Sequence, residues 1–265
     1  MGPHSYKYVY GPVSSWRLGQ SLGIDPISSV NKICTFDCVY CQTGETQAFP
    51  KDREIFVPTE ALIKEVQSLP ELEIDYITFA GNGEPTLAKN LGEIIRAIRD
   101  IRKEPIAVIT NSSLINRLDV QQDLLLADLV EAKLDADSAE VFRLVNRPTA
   151  EAKWDEVVAG LIAFRKMYKG HLTIQTMFIK SNQAHAEAIA RLAWRIEPDE
   201  IEINTPLRAC AVQPLLPEEI ASVVEIFRRV CGSGAKIRSV YEARAEKSKP
   251  LSQNETERRR GKEKQ

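Results

Sequence analysis

Short apolar runs alternate with longer stretches of helical period along most of the chain. Runs at residues 76–80 (YITFA), 106–110 (IAVIT), 129–134 (LVEAKL), 172–178 (LTIQTMF), 200–203 (EIEI) and 236–240 (KIRSV) have the length and β-branched content of strands. A weaker strand is predicted at 27–33. Between them, helix-period segments are predicted at 59–69, 87–102, 119–127, 150–168, 183–196 and 217–230. Two of these open on start signals, Pro58-Thr59-Glu60 and Pro217-Glu218-Glu219. Strand and helix recur at roughly thirty-residue intervals, the spacing of right-handed βα units. About six such units fit, too few for a closed eight-stranded barrel. The expected fold is α/β, a partial (βα)6 barrel of the TIM type over residues 27–241.

Residues 1–26 are rich in Gly, Ser, Pro and aromatics, and read as an ordered N-terminal extension with turns, packed on the barrel. From residue 242 to 265 apolar side chains almost vanish. That stretch holds eight Lys or Arg against five Asp or Glu, so +3 locally and −5 for the remainder. It reads as a solvated, disordered tail. Its Arg258-Arg259-Arg260 cluster leaves an RNA or other acidic partner open.

Composition narrows the function classes. Lys and Arg total 35 against 37 Asp and Glu, a net charge of −2, so no global positive field steers the protein onto nucleic acid. Together with the lack of a recognisable RNA-binding module, this leaves RNA open but not favoured. No run reaches the roughly 20 apolar residues of a membrane span. The first ten residues lack the apolar stretch of a signal peptide, and a cytoplasmic protein without a membrane partner is expected.

Three of the five cysteines lie within eight residues, Cys34-Thr35-Phe36-Asp37-Cys38-Val39-Tyr40-Cys41. This C-x3-C-x2-C spacing can wrap one soft metal centre from a single loop. No histidine lies in the loop, and Cys210 and Cys231 sit on other elements, where they read as buried thiols. Three ligands without an obvious fourth suggest a centre with one open position, as catalytic metal sites keep. The alternative is a structural zinc loop completed by Cys210 or Cys231.

This loop, with an aromatic before its last cysteine, resembles the radical S-adenosylmethionine (radical SAM) superfamily. The resemblance implies that Cys34, Cys38 and Cys41 hold a 4Fe-4S cluster, whose open iron binds S-adenosylmethionine, and that Tyr40 packs near the adenine. A second motif follows the 76–80 strand: Gly81-Asn82-Gly83-Glu84-Pro85-Thr86 is similar to the family's GGE segment, which holds the methionyl amino group. Small residues there let the backbone approach a ligand. Further cofactor contacts are expected at the carboxyl ends of later strands, at Asn111, Ser113, Asp135, Thr176 and Asn204. A turn or helix cap would equally explain Asn111 and Asn204. Arg147 and Arg208 could bring positive charge toward an anionic substrate, or be surface ion pairs.

More narrowly, Tyr10-Gly11-Pro12-Val13, the run Arg17-Leu18-Gly19-Gln20-Ser21-Leu22-Gly23-Ile24-Asp25-Pro26 and the cysteine loop resemble stand-alone radical SAM proteins classified near the wybutosine-pathway tRNA enzyme. Trp16 stands where that group usually has Arg. The tRNA enzyme is a weaker match, because no cysteine precedes Cys34, so its substrate and chemistry are not carried over. The function implied is reductive cleavage of S-adenosylmethionine to a 5′-deoxyadenosyl radical. That radical takes hydrogen from a small molecule, an RNA nucleoside or a peptide, and the electron comes from a donor such as ferredoxin or flavodoxin. Two other readings are a non-catalytic metal-binding module and an activase of a partner glycyl-radical enzyme.

Overall fold

The structure, a computed structural model, describes residues 6–242 and 248–262. Its centre is one eight-stranded sheet in chain order: β1 (Val9–Ser15), β2 (Gly19–Ile24), β3 (Tyr76–Phe79), β4 (Ile106–Thr110), β5 (Leu129–Lys133), β6 (His171–Met177), β7 (Glu200–Asn204) and β8 (Ile237–Ser239). β1 pairs antiparallel with β2, and every later pair is parallel. Helices fill the crossovers: α1 (Thr59–Gln67), α2 (Leu91–Arg99), α3 (Leu118–Leu124), α4 (Ala139–Val145), α5 (Trp154–Met167), α6 (Lys180–Gln183), α7 (Ala186–Arg195) and α8 (Pro217–Cys231). A ninth, α9 (Gln253–Arg260), follows the sheet. The result is a curled half-barrel of α/β type.

Register explains which face is which. The row Ile24, Phe79, Val108, Val130 and Leu172 runs across five strands on one face, all fully buried in the core shared with the helices. On the opposite, concave face a polar row stands side by side: Lys133, Gln175, Glu202 and Arg238. Alternation along each strand therefore sends apolar side chains under the helices and charged ones into the half-barrel. On the concave face Gln175 donates to Glu131 Oε1 (2.6 Å) and to Glu202 Oε2 (3.2 Å).

Three expectations need correction. The weak strand at 27–33 does not form; Ile33 makes only isolated bridges, to Ala48 and Gly83. Within the expected N-terminal extension, β1 and β2 belong to the sheet, and the first parallel strand is β2. Its sequence, GQSLGI, has poor strand propensity and forms because neighbours on both sides supply its hydrogen bonds. The tip of the β1–β2 hairpin also reaches across the concave face: Arg17 pairs with Glu131 on β5, and Trp16 O accepts from Arg238 on β8 (2.5 Å). Last, residues 248–262, within the expected tail, include a helix. α9 starts at the N-cap of Ser252 and packs against β1, with Thr256 and Arg259 buried. The rest of that expectation, at 243–247 and 263–265, lies outside the described residues.

Among the described residues no helix is long and apolar enough to cross a membrane.

Candidate functional site

The carboxyl ends of β2 to β5 gather the sequence-marked residues on one rim. β2 runs into Asp25 and then the cysteine loop, β3 into the glycine turn, β4 into Asn111, and β5 into Asp135. The loop and the turn are stitched together by Ile33, whose N–H donates to Asn82 O (3.3 Å) and whose carbonyl accepts from Glu84 N (3.2 Å). A β-carbon on Gly83 would overlap that same Ile33 carbonyl, and its φ is +158°, so glycine is required for the two segments to meet. Cys34 is thereby placed beside the Glu84 carboxyl.

Each cysteine has a side-chain neighbour brought from another part of the chain or loop. Asn111 Nδ2 lies 3.4 Å from Cys34 Sγ, and Asn146 Nδ2 lies 3.6 Å from Cys38 Sγ. Cys41 Sγ is 3.2 Å from Thr43 Oγ1 and also faces the Lys32 ammonium. Burial, reinforced by Glu84, pushes the Cys34 thiol up to about 11. Burial and the Asp135 charge push Cys38 up to about 12. Such thiols stay neutral unless cations replace their protons, which is the coupling expected of a metal-binding trio. The pKa of buried Lys32 is raised, the cysteine loop outweighing desolvation.

Glu84 is 2 % exposed and its carboxylate accepts four bonds: from Thr86 N (3.0 Å), Thr86 Oγ1 (2.7 Å), Thr110 Oγ1 (2.7 Å) and Asn111 N (2.6 Å). Burial still leaves its pKa raised. Tyr40 lies inside the loop, its hydroxyl donating to Asp135 Oδ2, which also accepts from Asn146 Nδ2 (2.8 Å). Met177 N donates to Asp135 Oδ1 (2.7 Å), with Lys133 Nζ at 3.1 Å. Asp135 thus ties β5 and β6 to the cysteine loop. Asn111 donates to Thr35 Oγ1 (2.9 Å), and Ser113 shares a hydroxyl–hydroxyl bond with Thr35 (2.6 Å). These two brace the loop from β4.

The remaining marked residues are placed otherwise. Thr176 shares the register row of Ile203, is fully buried and donates to Leu134 O (2.7 Å), so its side chain points away from the concave face. Asn204 ends β7, and its Oδ1 accepts from Thr205 N (2.8 Å). Arg147 is on the rim, largely exposed and 4.0 Å from Asp37. Arg208 donates to Gln42 Oε1 (2.9 Å), beside the loop. Cys231 is buried in α8 as expected, whereas Cys210 is half-exposed and lines the same cavity as Cys38 and Cys41.

That cavity, about 810 Å³, opens on the cysteine loop between Lys32, Asn82, Arg147 and the end of the C-terminal segment. Asn82 Oδ1 and Asn146 Oδ1 are buried there or close by without a hydrogen-bond partner. Sequence reasoning missed Asn146, Lys32, Thr35 and Asp25. Asn146 sits one residue before Arg147, on which attention fell for its charge. Its amide matters because the backbone of 145–149 lines the cysteine loop through Val39 N to Val145 O (3.0 Å) and Asp37 N to Arg147 O (3.1 Å).

Comparison with known proteins agrees with this geometry. A profile of the Radical SAM superfamily matches residues 28–193. A UPF0026 protein of Synechocystis sp. is 40% identical over 210 residues, covering 79% of this chain and 79% of that protein. Among solved structures, TYW1 with a lysine-pyruvate adduct bound superposes with a TM-score of 0.62 at 18% identity, covering 79% of this chain and 73% of that one. Streptococcus suis SuiB bound to S-adenosylmethionine gives 0.63 at 11% identity, covering 84% and 50%. At these identities the two structures share the fold.

Proposed function

Since this chain belongs to the Radical SAM superfamily, we propose that Cys34, Cys38 and Cys41 hold a 4Fe-4S cluster and that the turn at 81–84 receives S-adenosylmethionine beside it. Membership makes the chain an enzyme working through a radical derived from S-adenosylmethionine, and the purely structural metal module is set aside. When bound and reduced, such a cluster would supply the electron for reductive cleavage of S-adenosylmethionine to methionine and a 5′-deoxyadenosyl radical able to take hydrogen from a substrate.

The observation that carries this reading is the Ile33 stitch, which sets a three-thiol loop against a glycine turn ending in a buried carboxylate. The chain's own groups do the positioning. Asn111 and Asn146 orient the thiols, and Lys32 offsets the negative charge they acquire on metallation. Glu84, fixed by four donors, presents a rigid carboxylate for the methionyl ammonium. Tyr40, locked by Asp135, offers a fixed ring face to the adenine. Arg147 stands on the cavity rim where an anionic part of a substrate would meet it. The substrate is a small molecule, an RNA nucleoside or a peptide, and the electron comes from a ferredoxin- or flavodoxin-type partner.

The test is spectroscopic. Protein purified without oxygen should carry about four iron and four sulfide per chain and, once reduced, give an electron paramagnetic resonance signal that shifts on adding S-adenosylmethionine. Zinc in place of iron, or a signal indifferent to S-adenosylmethionine, would contradict the reading.

A further inference from the structure

We propose that residues 251–262 are a strap that clamps the cysteine loop to the glycine turn and shields Cys38 and Cys41 from solvent, with Arg259 as its positioning residue. The strap is anchored on β1 by Leu251 N to Gly11 O (2.6 Å) and by Gly11 N to Thr256 Oγ1 (3.1 Å). From there it contacts three separate parts of the site in succession.

Arg259 is the first contact. Its side chain is completely buried, pairs with Asp25 (3.0 Å), donates to Lys7 O and lies over the Tyr10 ring at 5.7 Å. A guanidinium taken wholly out of water is sustained only by such a set of partners. Asp25, 2 % exposed on its side chain, is shared: the oxygen that pairs with Arg259 also accepts from Asn82 N (3.2 Å), while its other oxygen accepts from Ile27 N (3.1 Å) and Ser28 N (2.9 Å). One carboxylate thus links the strap to the glycine turn and to the start of the cysteine loop. Arg258 makes the second contact, donating to Ser29 O (2.8 Å).

Gly261 makes the third. Its φ is +83° and a β-carbon there would overlap the carbonyl of Gln42, the residue after Cys41. Lys262 O then accepts from Ala209 N (3.1 Å), tying the end of the strap to the segment after β7. Glu257, Arg258, Gly261 and Lys262 line the same cavity as Cys38 and Cys41. Charged residues that would suit a solvated tail instead close the rim of the half-barrel, and they do so through backbone contacts and one buried ion pair.

Shielding of a metal cluster rests on the function proposed above, but the clamp does not, so the test is made first on the metal-free chain. Gly261→Val drives the strap from Gln42 while leaving Arg259 in place, and Arg259→Met removes the anchor. Alkylation of each cysteine by a maleimide is followed by mass spectrometry, with Cys231, buried in α8, reporting global opening. Expected is about tenfold faster labelling of Cys38 and Cys41 in Gly261→Val, with Cys231 unchanged. Unchanged labelling of Cys38 and Cys41, or equal acceleration at Cys231, would overturn the strap. If Arg259→Met does not fold, Gly261→Val alone decides. In protein reconstituted with iron and sulfide, Gly261→Val should also release iron to a chelator faster. Accelerated labelling in a chain that never takes up iron would leave the clamp standing and remove the cluster reading.

Discussion

The Glu84 carboxylate accepts three bonds at Oε1 and one at Oε2 from its own turn and from the end of β4, yet burial still raises its pKa. Glu84→Gln replaces one acceptor oxygen by a donor that faces Thr86, Thr110 or Asn111. The expected result is a loss of about 1–3 kcal/mol in stability, read by thermal unfolding, and at least about tenfold weaker S-adenosylmethionine binding, read by equilibrium dialysis on iron-loaded protein. Stability lost without any change in binding would mean that Glu84 only caps the turn. At this scale the chain was legible wherever chemistry and spacing coincide. Three cysteines three and two residues apart, followed by a glycine turn ending in Glu, announce themselves. Asn146 and Asp25 do not, because an amide or carboxylate distant in sequence gains meaning only from what the fold lays against it. Thr176 shows the converse: a polar residue near a strand end looks like a ligand until register turns it toward the helices.

β1 and β2 carry the corresponding lesson for elements. Strands rich in Ile and Val were readable from alternation alone, but GQSLGI is a strand because β1 and β3 flank it, and the apolar period of 27–33 belongs to a loop packed for other reasons. The hairpin tip then sets the electrostatics of the concave face. Arg17 pairs with Glu131, while burial and the Glu131 charge hold Glu202 up at about 8. The unfolded chain gives up this proton at lower pH than the folded one, so stability is full below the ordinary glutamate range and drains away as pH rises toward about 8. Glu202→Gln keeps the acceptor for Gln175 and removes the titration. The mutant should match the parent near pH 5 and melt a few degrees higher near pH 8, about 2–4 °C for each kcal/mol recovered. Parallel melting curves at both pH values would show that Glu202 is already ionised without penalty.

On the scale of the whole molecule, the βα alternation was enough to give a partial barrel with its ligands at one rim, because crossover handedness and register leave few other arrangements. What sequence could not convey is that the two ends of the chain complete that rim. The hairpin tip closes the floor of the half-barrel through Arg17, and the strap closes the cysteine side through Arg259 and Gly261. Ser252 caps α9 in a stretch nearly devoid of apolar residues, where composition alone points to a solvated tail; burial of an arginine, not of a hydrophobic face, is what seats α9. The same architecture brings Cys38 and Cys41 of the loop and Asn82 of the glycine turn to one pocket, and the function proposed for it is open to one direct assay. Protein purified without oxygen and reconstituted with iron and sulfide is reduced with a strong reductant in the presence of S-adenosylmethionine, and 5′-deoxyadenosine is quantified by mass spectrometry beside Cys41→Ala. Nucleoside formed by the parent and abolished in the mutant is expected; a fully loaded, reducible parent that forms none, or forms as much as Cys41→Ala, would contradict it.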